Sequence, residues 1–379
     1  MTETQKTYHG DARVTPEVLA AVRSRIGVKH PIKPWNNLVT EDNIWHFCEG
    51  YGDDNPLYTD VEYARKTRWG GIFAPPTFLL SCSSAGGGGG HGLPGVFGLW
   101  AGDKWEHYRP VRPGDVIHGY TELESVNERR SSYAGRMFEQ IDKVTYINQR
   151  DEVVAHRWHV NMRLERGPSR EKGKYNAITL YKYSDDEVRA IEEQYAKEPA
   201  QRRGATPRYW DDVKDGEDMI TLVKGPLTVN SMVTWLMGWG SPLCKTDRIA
   251  HLYMHSHPRA RIVNPETNVP DFPEAAHWDP WYAKQSGLPG GYDIGGQRIS
   301  WVAHVVTDWA GDDAFVKRLE VQIRRPNIVG DTTWFHGRMV KKFEKDGEKL
   351  VECEIWGDNQ RGEKTTTGRA IVRLPSRPQ

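Results

Sequence analysis

The chain has few cysteines, and none of them are spaced to build a covalent or metal-bound framework. Its 379 residues contain four cysteines, without a CxxC pair. They are Cys48, Cys82, Cys244 and Cys353. Such isolated cysteines are typical of reduced thiols in a protein of the cytoplasm. We therefore expect a cytoplasmic protein that has neither a disulfide frame nor a zinc site.

An excess of either charge is also missing, because Lys and Arg together number 51 and so do Asp and Glu. A balanced chain without a basic block gives no electrostatic reason to expect nucleic acid or an anionic membrane as partner. No apolar run approaches the roughly 20 residues of a membrane-spanning helix, and the polar start lacks the apolar core of a signal peptide. Aromatic residues are abundant, with 15 Trp and 16 Tyr. They would suit a core or a pocket for a bulky apolar ligand.

Two parts of the chain repeat each other in order and spacing. Thr40 and Thr228 each stand where the N-cap of a short helix belongs, and both helices end in Gly-aromatic-Gly. Further on, residues 58–64 match residues 277–283, and a pair of glycines follows each match. Both parts then show Arg-Pro followed by Gly-Asp and a series of strand-like segments. A repeat over about 150 residues predicts two related domains.

A long helix is predicted ahead of the strands in each repeat. Residues 75–85 (PPTFLLSCSSA) indicate a buried helix in the first part, and residues 295–309 (GGQRISWVAHVVTDW) place apolar residues at helical spacing in the second. The alternation in VVAHRWHVNMRL, around Arg157 and His159, fits a strand with one face in water. A long buried helix followed by antiparallel strands predicts an α+β fold in which the sheet wraps around the helix.

The repeat also sets the predicted domain boundaries. We place the first domain, with a short helical N-terminal extension, at residues 1–165 and the second at residues 206–379. Residues 166–205 are predicted to form a charged linker with a surface helix that Ser184 begins as N-cap. Compared with the first domain, the second contains an insertion near residues 243–272. Long insertions beside a site often shape its pocket.

Two segments carry a resemblance to a known family. GYGDDNPLYTDVEYA (residues 50–64) resembles the signature of the MaoC-like, R-specific enoyl-CoA hydratases, in which a Gly-Asp, an Asn-Pro, an apolar residue, a His and an Ala follow each other. AHWDPWYAKQSGLPG (residues 276–290) resembles the same region of a catalytic hotdog domain. The resemblance covers nearly the whole chain apart from the N-terminal extension and the central linker.

The resemblance implies two hotdog domains, each a long helix wrapped by an antiparallel sheet, packed as a pseudo-dimer. It implies an acyl thioester of CoA or of a carrier protein as substrate. The reaction would be the addition or removal of water at the α,β double bond. We expect no cofactor, since CoA is part of the substrate, and no nucleic acid or membrane partner. A homo-oligomer is expected.

Hydration needs a base that activates water, a proton donor for the α-carbon and a group that polarises the thioester carbonyl. By the resemblance, His277 falls on the catalytic His of the family, and Gly295 lies near the glycine whose N–H polarises the carbonyl. The acidic partner is displaced by the insertion, and Asp271, Glu274 or Asp293 could stand in for it. Alternatively, His277 has a capping or packing role without chemistry.

In the first half, Asp53 and Asn55 match the signature, but Tyr58 stands where the family has its His. The prolines that follow cannot donate a backbone N–H, and this half resembles the non-catalytic partner hotdog of two-part dehydratases. Asp53 and Asn55 also fit a structural role as turn and cap residues, which we favour. The substrate-binding candidates are Asp53, Asn55, Tyr58, Tyr292 and Arg298, the last as a contact for CoA phosphates.

Two other functions fit the same fold, because one scaffold supports many chemistries. An acyl-CoA thioesterase would need a carboxylate poised to attack, or to activate water, at the thioester carbon. A non-catalytic thioester-binding subunit of a two-part dehydratase is compatible with the incomplete motifs of both halves. A metal site at His251, His255 and His257 is disfavoured, because no acidic residue or Cys lies nearby at ligand spacing.

Overall fold

The computed structural model describes residues 13–83, 90, 92–131, 135–165, 178–241, 244–285 and 287–377. The chain has two successive groups of elements, and in each group helices are followed by long antiparallel strands. The strands of both groups join one large sheet. The predicted α+β class is confirmed.

The first group begins with small helices that polar side chains cap. Helices α1 to α4 are Pro16–Arg23, Glu41–Tyr51, Pro56–Thr59 and Val61–Arg65, and a 3-10 helix spans Phe78–Cys82. Strands β1 to β5 are Lys29–Pro31, Phe97–His107, His118–Ser131, Gly135–Ile147 and Val153–Leu164. The predicted cap at Thr40 is confirmed, since its side chain accepts a hydrogen bond from the Asn43 N–H and the Asn43 side chain accepts one from the Thr40 N–H.

The second group repeats this order. Helices α5 to α9 are Asp185–Gln201, Val229–Trp239, Asp247–Ser256, Pro280–Gln285 and Gly295–Ala310, and 3-10 helices span Pro258–Ala260 and Pro273–His277. Strands β6 to β12 are Leu222–Lys224, Ile262–Val263, Pro270–Asp271, Phe315–Ile323, Thr333–Lys345, Glu348–Asn359 and Lys364–Arg373. The predicted caps at Ser184 and Thr228 are confirmed.

Ten of the described strands form one sheet in the order β1-β3-β4-β5-β2-β9-β12-β11-β10-β6. The order is symmetric about its centre: β1, β3, β4, β5 and β2 of the first group correspond to β6, β10, β11, β12 and β9 of the second. The two halves meet where β2 pairs with β9 in antiparallel register. Gly102 lies at this seam, and a Cβ there would sit only 2.1 Å from the Val321 carbonyl oxygen. A glycine is needed because the two backbones approach so closely.

A close helix pair, α2 and α6, packs at the junction of the two halves. Each helix ends at a left-handed glycine, Gly52 with φ 69° and Gly240 with φ 68°. Gly238 on α6 has no room for a side chain, because a Cβ would lie 2.2 Å from the His46 carbonyl oxygen and 3.1 Å from the Gly50 Cα. The glycines of the repeated motif therefore permit the contact between the halves as well as the helix ends.

The aspartate of each Gly-Asp turn is bound by the side chains of a repeated Asn-Gln-Arg segment. The Asp115 carboxylate accepts hydrogen bonds from the Gln and Arg side chains of an Asn-Gln-Arg segment, residues 148–150. Asp331 accepts the equivalent bonds from the Asn-Gln-Arg segment at residues 359–361. These segments precede β5 and β12, respectively. Because the two segments are equivalent, counting onward from them aligns β5 with β12 residue by residue.

The two halves differ in their central helix. In the second half the predicted helix is confirmed: α9 has 16 residues and most of them are buried. In the first half the long helix predicted over residues 75–85 is wrong for the described part, since only the five-residue 3-10 helix forms there, and residues 84 and 85 lie outside the described residues. Pro76 restricts the preceding residue to extended backbone. The Pro76 carbonyl oxygen lies 2.8 Å from His107 Nε2 and is bound by that side chain instead of by a helical backbone N–H.

The domain boundaries, the linker and the insertion stay predictions, and the structure shows which elements those segments contain. Helix α5 is mostly exposed, as expected of a surface helix, and residues 166–177 of the linker lie outside the described residues. The insertion holds α7 and the small β7–β8 pair.

The apolar core is continuous between the halves. Phe47 of α2 packs edge-on against Phe78 of its own half and against Trp235 of α6, with ring centroids 5.6 and 5.4 Å apart. Among the described residues, no helix has both the length and the apolar character that crossing a membrane requires.

Candidate active site

A cavity of about 600 Å³ opens between the two halves. One wall comes from the second half, from the 3-10 helix Pro273–His277 and the segment that leads into α9. The opposite wall comes from β2 and β5 of the first half. Much of the lining is apolar and includes Val96, Leu99, Met162, Leu236, Leu288 and Ile323. The volume and lining are those of a small-molecule site.

His277 lies at the end of the 3-10 helix and lines the cavity. Its Nδ1 is 2.7 Å from the Tyr292 carbonyl oxygen. Because a carbonyl can only accept, Nδ1 carries the hydrogen, and in the neutral ring Nε2 is a proton acceptor. Burial lowers the pKa of His277 below its usual value, although the Tyr292 carbonyl opposes the shift. The imidazole is therefore neutral near pH 7, the form that a general base requires.

Glu274 precedes His277 by three residues on the same 3-10 helix. Residues i and i+3 eclipse each other in such a helix, so the two side chains leave it on the same side. Both line the cavity. Burial raises the pKa of Glu274 to about 7, and the nearby Asp271 carboxylate adds to the increase. A carboxyl group with this pKa can donate or accept a proton near neutral pH.

Asp293 also lines the cavity, but its carboxylate is already committed. It forms a buried two-point ion pair with Arg298, in which Arg298 Nε lies 2.6 Å from Asp293 Oδ2. It further accepts a hydrogen bond from the Asn327 N–H at 3.1 Å. Arg298 also donates to the carbonyl oxygens of Arg325 and Thr365 and has no exposed surface. The predicted contact of Arg298 with CoA phosphates is not what the structure shows, since the side chain is consumed in holding the start of α9.

The first turn of α9 faces the cavity at Gly295. No side chain of the described residues caps this helix at Ile294. The first backbone N–H groups of a helix have no intrahelical partner, and they carry the positive end of the helix dipole. Trp100 of β2 covers this point so closely that a Cβ on Gly295 would lie 2.6 Å from the Trp100 ring. A glycine is therefore required here, because any side chain would collide with Trp100.

The insertion explains why the acid is displaced. In the first half the left-handed Gly52 is followed by Asp53, and in the second half Gly240 is followed by Ser241, which lines the cavity. The carboxylate that the signature places after this glycine is therefore absent, and the chain returns to the cavity after the insertion with Glu274. Asp271 does not line the cavity; its carboxylate accepts a hydrogen bond from the Phe272 N–H at 2.7 Å.

The first-half candidates lie away from this cavity. Asn55 caps α3 by accepting from the Leu57 N–H at 3.0 Å, which confirms the structural role that we favoured. Tyr58 is buried and packs edge-on against Phe73, with ring centroids 5.7 Å apart. Asn55 and Tyr58 border only a small cavity of about 40 Å³. Among the described residues, this cavity beside the first-half signature is too small for an acyl group.

Asp53 belongs to a buried ion cluster that links the halves. His304 Nε2 of α9 lies 3.3 Å from both Asp53 Oδ1 and Asp308 Oδ2, and the ligand atoms of these three residues are within 4.8 Å of one another, as a metal site would require. However, Lys224 Nζ is 3.0 Å from His304 Nδ1, and Arg202 Nε is 3.0 Å from Asp308 Oδ1. These cations already balance the carboxylates, so the cluster does not fit a metal ion. The histidines of α7 form no three-ligand set in the part of the chain that the structure describes.

Several cavity residues were not found by the sequence analysis. Trp100, His159 and Asn161 come from the first half, and Trp239 from the end of α6. The signal for His159 and Asn161 was present in the alternating polar residues of β5. They fit the wet face of a strand, yet His159 is 1% exposed. The pairing that turns them inward connects strands far apart in sequence.

Comparisons with known proteins bear on the family and the fold of the chain. Residues 24–157 match the model of the FAS1-like dehydratase domain region. A UPF0336 protein of Streptomyces avermitilis is 31% identical over 114 residues, which are 28% of this chain and 75% of that protein. A probable enoyl-CoA hydratase alpha subunit of Thermomonospora curvata is 30% identical over 135 residues, 31% of this chain and 42% of that protein. A solved MaoC-like dehydratase has a TM-score of 0.62 at 18% identity, over 94% of this chain and 100% of that one.

The chain belongs to the family of the UPF0336 proteins, and it has the fold of the solved MaoC-like dehydratases. Its two groups of elements are the two hotdog units of a double-hotdog fold, joined through β2 and β9. The match to the dehydratase-region model and the MaoC-like fold support hydratase or dehydratase activity in general. The cavity is the place in the described structure where groups suited to that chemistry meet.

Proposed function

We propose that this MaoC-like protein adds water across, or removes it from, the α,β double bond of an enoyl-CoA thioester. The observation that carries the proposal is that His277, Glu274 and the first turn of α9 face one largely apolar cavity. They supply a neutral base, a carboxyl group with a pKa of about 7 and unpaired helix N–H groups. The relative from Thermomonospora curvata points to the same class of substrate.

In the hydration direction, His277 Nε2 takes a proton from water while the water oxygen bonds to the β-carbon. The electron pair of the double bond moves toward the thioester carbonyl, whose oxygen becomes negative. The N–H groups at Gly295, with the dipole of α9 behind them, stabilise this charge. General-base assistance of this kind contributes roughly a hundredfold to ten-thousandfold in rate.

The α-carbon must then gain a proton. Glu274 donates it as a carboxylic acid, the carbonyl reforms and the 3-hydroxyacyl thioester is complete. His277 returns its extra proton to solvent and Glu274 regains one, so the enzyme ends in its starting state. Dehydration follows the same steps in reverse. The reaction uses no cofactor besides the CoA that belongs to the substrate.

The remaining surfaces of the cavity suit the rest of such a substrate. The apolar wall between the halves would receive the acyl chain. Arg324 and Arg325 line the cavity where the chain is exposed. Because phosphates are bound by arginine side chains, we assign the CoA end of the substrate to this side.

The proposal is tested by product analysis. The pure protein is incubated with enoyl-CoA and 3-hydroxyacyl-CoA thioesters of short, long and ring-bearing chains, and the products are identified by mass spectrometry. We expect a change of one water with the thioester intact, and we expect His277→Ala to abolish it. His251→Ala replaces an exposed histidine of α7 and is the matched control. It should retain the activity.

Other products would select another function. Release of free CoA would identify a thioesterase. Binding of the thioesters without any change in mass would identify a binding subunit that needs a separate catalytic chain. Either result would overturn the proposal.

A further inference from the structure

The first-half wall of the cavity contains polar side chains where a protein core is normally apolar. Arg157, His159, Asn161 and Arg163 alternate along β5, so they share one face of the strand. The last three line the cavity. Asp103, which lies opposite His159 on the neighbouring β2, is buried with them.

The equivalent strand of the second half, β12, has apolar residues where this wall has polar ones. The matching Asn-Gln-Arg segments align His159 with Ala370 and Asn161 with Val372. The strand register agrees, because Asp103 pairs with His159 just as Leu319 pairs with Ala370. The fold is therefore satisfied by apolar residues at these positions. Burying polar groups there instead costs free energy unless they have partners.

Part of the polar set is held in place by the protein. The Asp103 carboxylate accepts from Arg157 Nε at 2.7 Å and from Trp100 Nε1 at 3.0 Å, and His159 Nδ1 lies 3.0 Å from it. The side chains of Asp103, Arg157 and His159 are at most 2% exposed. The charges of Asp103 and Arg157 cancel. The His159 ring is thereby fixed against the cavity.

The rest of the set has hydrogen-bonding capacity that the described residues do not use. Asn161 Oδ1 is buried without a hydrogen-bond partner, and so is Arg163 Nε. Both side chains reach the space beside Gly98, where an added Cβ would lie 2.8 Å from Asn161 Oδ1 and 2.6 Å from Arg163 Nη1. Arg163 Nη2 donates to the Leu93 carbonyl oxygen at 2.7 Å, so Asn161 Oδ1 and Arg163 Nε remain as an acceptor and a donor on neighbouring residues of the cavity wall. Unpaired buried groups of this kind are costly, so they mark a place for a ligand atom.

We infer that this wall binds a hydroxyl group on the acyl chain, away from the thioester. A hydroxyl can accept a hydrogen bond from the Arg163 guanidinium and donate one to Asn161 Oδ1. A methyl or methylene group at the same place leaves both unpaired. The inference rests on the proposed function for the identity of the ligand as an acyl thioester. It adds that the preferred acyl group is hydroxylated.

Two variants separate this subsite from the rest of the cavity. Asn161→Val removes the acceptor and copies Val372 of the second half. Gly98→Ala keeps both polar groups but displaces them, because the added methyl carbon would lie 2.6 Å from Arg163 Nη1 and 2.8 Å from Asn161 Oδ1. His156→Ala is the matched control, because His156 lies on the opposite face of β5 and contacts Thr145 instead of the cavity.

The substrates are pairs of enoyl-CoA thioesters with the same carbon skeleton. In each pair one member carries a single hydroxyl group on the acyl chain, and the position of this hydroxyl moves by one distal carbon from pair to pair. For the best-placed hydroxyl, we expect the wild type to show a kcat/KM at least about tenfold higher than for the plain chain, as one or two hydrogen bonds provide. Asn161→Val and Gly98→Ala should bring the ratio of kcat/KM for the hydroxylated chain over the plain chain close to one. His156→Ala should keep the preference.

Hydration of both members at equal rates by the wild type would overturn the subsite and leave the proposed function intact. Equal losses for both substrates in Asn161→Val would show that the wall only supports Trp100 and the fold. If no thioester is hydrated, the same pairs are titrated as saturated acyl-pantetheine thioesters by calorimetry. A hydroxyl preference that Gly98→Ala removes would then support the subsite without the reaction, and equal affinities would overturn it.

Discussion

Replacing Arg298 tests a deeply buried ion pair at the proposed site. The side chain has no exposed surface and its partner Asp293 has 3%, so neither charge can be solvated if the other is removed. Arg298→Met keeps most of the volume of the side chain but leaves the Asp293 carboxylate without its cation. It also removes the donor to the carbonyl oxygens of Arg325 and Thr365.

We expect Arg298→Met to lower the free energy of unfolding by about 3–5 kcal/mol, the usual cost of an uncompensated buried charge. Unfolding in urea, followed by tryptophan fluorescence, measures the loss as a shift in midpoint at constant slope. The double variant Asp293→Leu with Arg298→Met should regain much of the loss, because it leaves no unpaired charge.

A surface pair provides the control. Arg338 and Asp218 form an ion pair whose side chains are 55% and 73% exposed. Arg338→Met should therefore change the free energy of unfolding by less than about 1 kcal/mol. If Arg298→Met cost no more than this control, the assignment of Asp293 and Arg298 as a structural pair would be refuted.

Two further predictions concern packing and pH. Gly238→Ala should destabilise the chain by about 1–3 kcal/mol in thermal unfolding, since its Cβ would lie 2.2 Å from the His46 carbonyl oxygen; Gly290→Ala, with its nearest atom at 3.5 Å, should cost less, and equal costs would contradict the reasoning. Because burial raises the pKa of Glu274 from 4.5 to about 7, the native state holds a proton that the unfolded chain has lost, and stability from this group falls as the pH rises through that range. Glu274→Gln should remove about 1–2 kcal/mol of this fall, after a discount for partial exposure; identical urea midpoint shifts between pH 5 and pH 8 in both proteins would contradict it.

Local signals in the sequence predict much of the fold. The caps at Thr40, Ser184 and Thr228 act within three residues, and the alternating strands β3 to β5 and β10 to β12 repeat every second residue. The internal repeat gives the double-hotdog arrangement. Strands β2 and β9 were not predicted. They pair with each other at the seam, and that pairing joins segments more than 200 residues apart.

The site is predicted only in part, because its groups meet through long-range contacts. His277, Glu274 and Gly295 could be named as candidates from the resemblance, and they do share the cavity. The choice among the carboxylates could not be made, since the pairing of Asp293 with Arg298 is seen only when α9 is in place. The polar wall on β5 escaped notice because strand alternation alone does not show which face is buried.

The most direct test of the account is the kcat/KM of His277→Gln for the best enoyl-CoA substrate, compared with the wild type. Glutamine keeps a polar side chain of similar reach but cannot take the proton from water. We predict a loss of roughly a hundredfold to ten-thousandfold, as expected for a missing general base, with an unchanged unfolding midpoint. A loss of less than about threefold in this folded variant, together with loss of activity in Asp53→Asn, would place the chemistry in the first half and contradict the account.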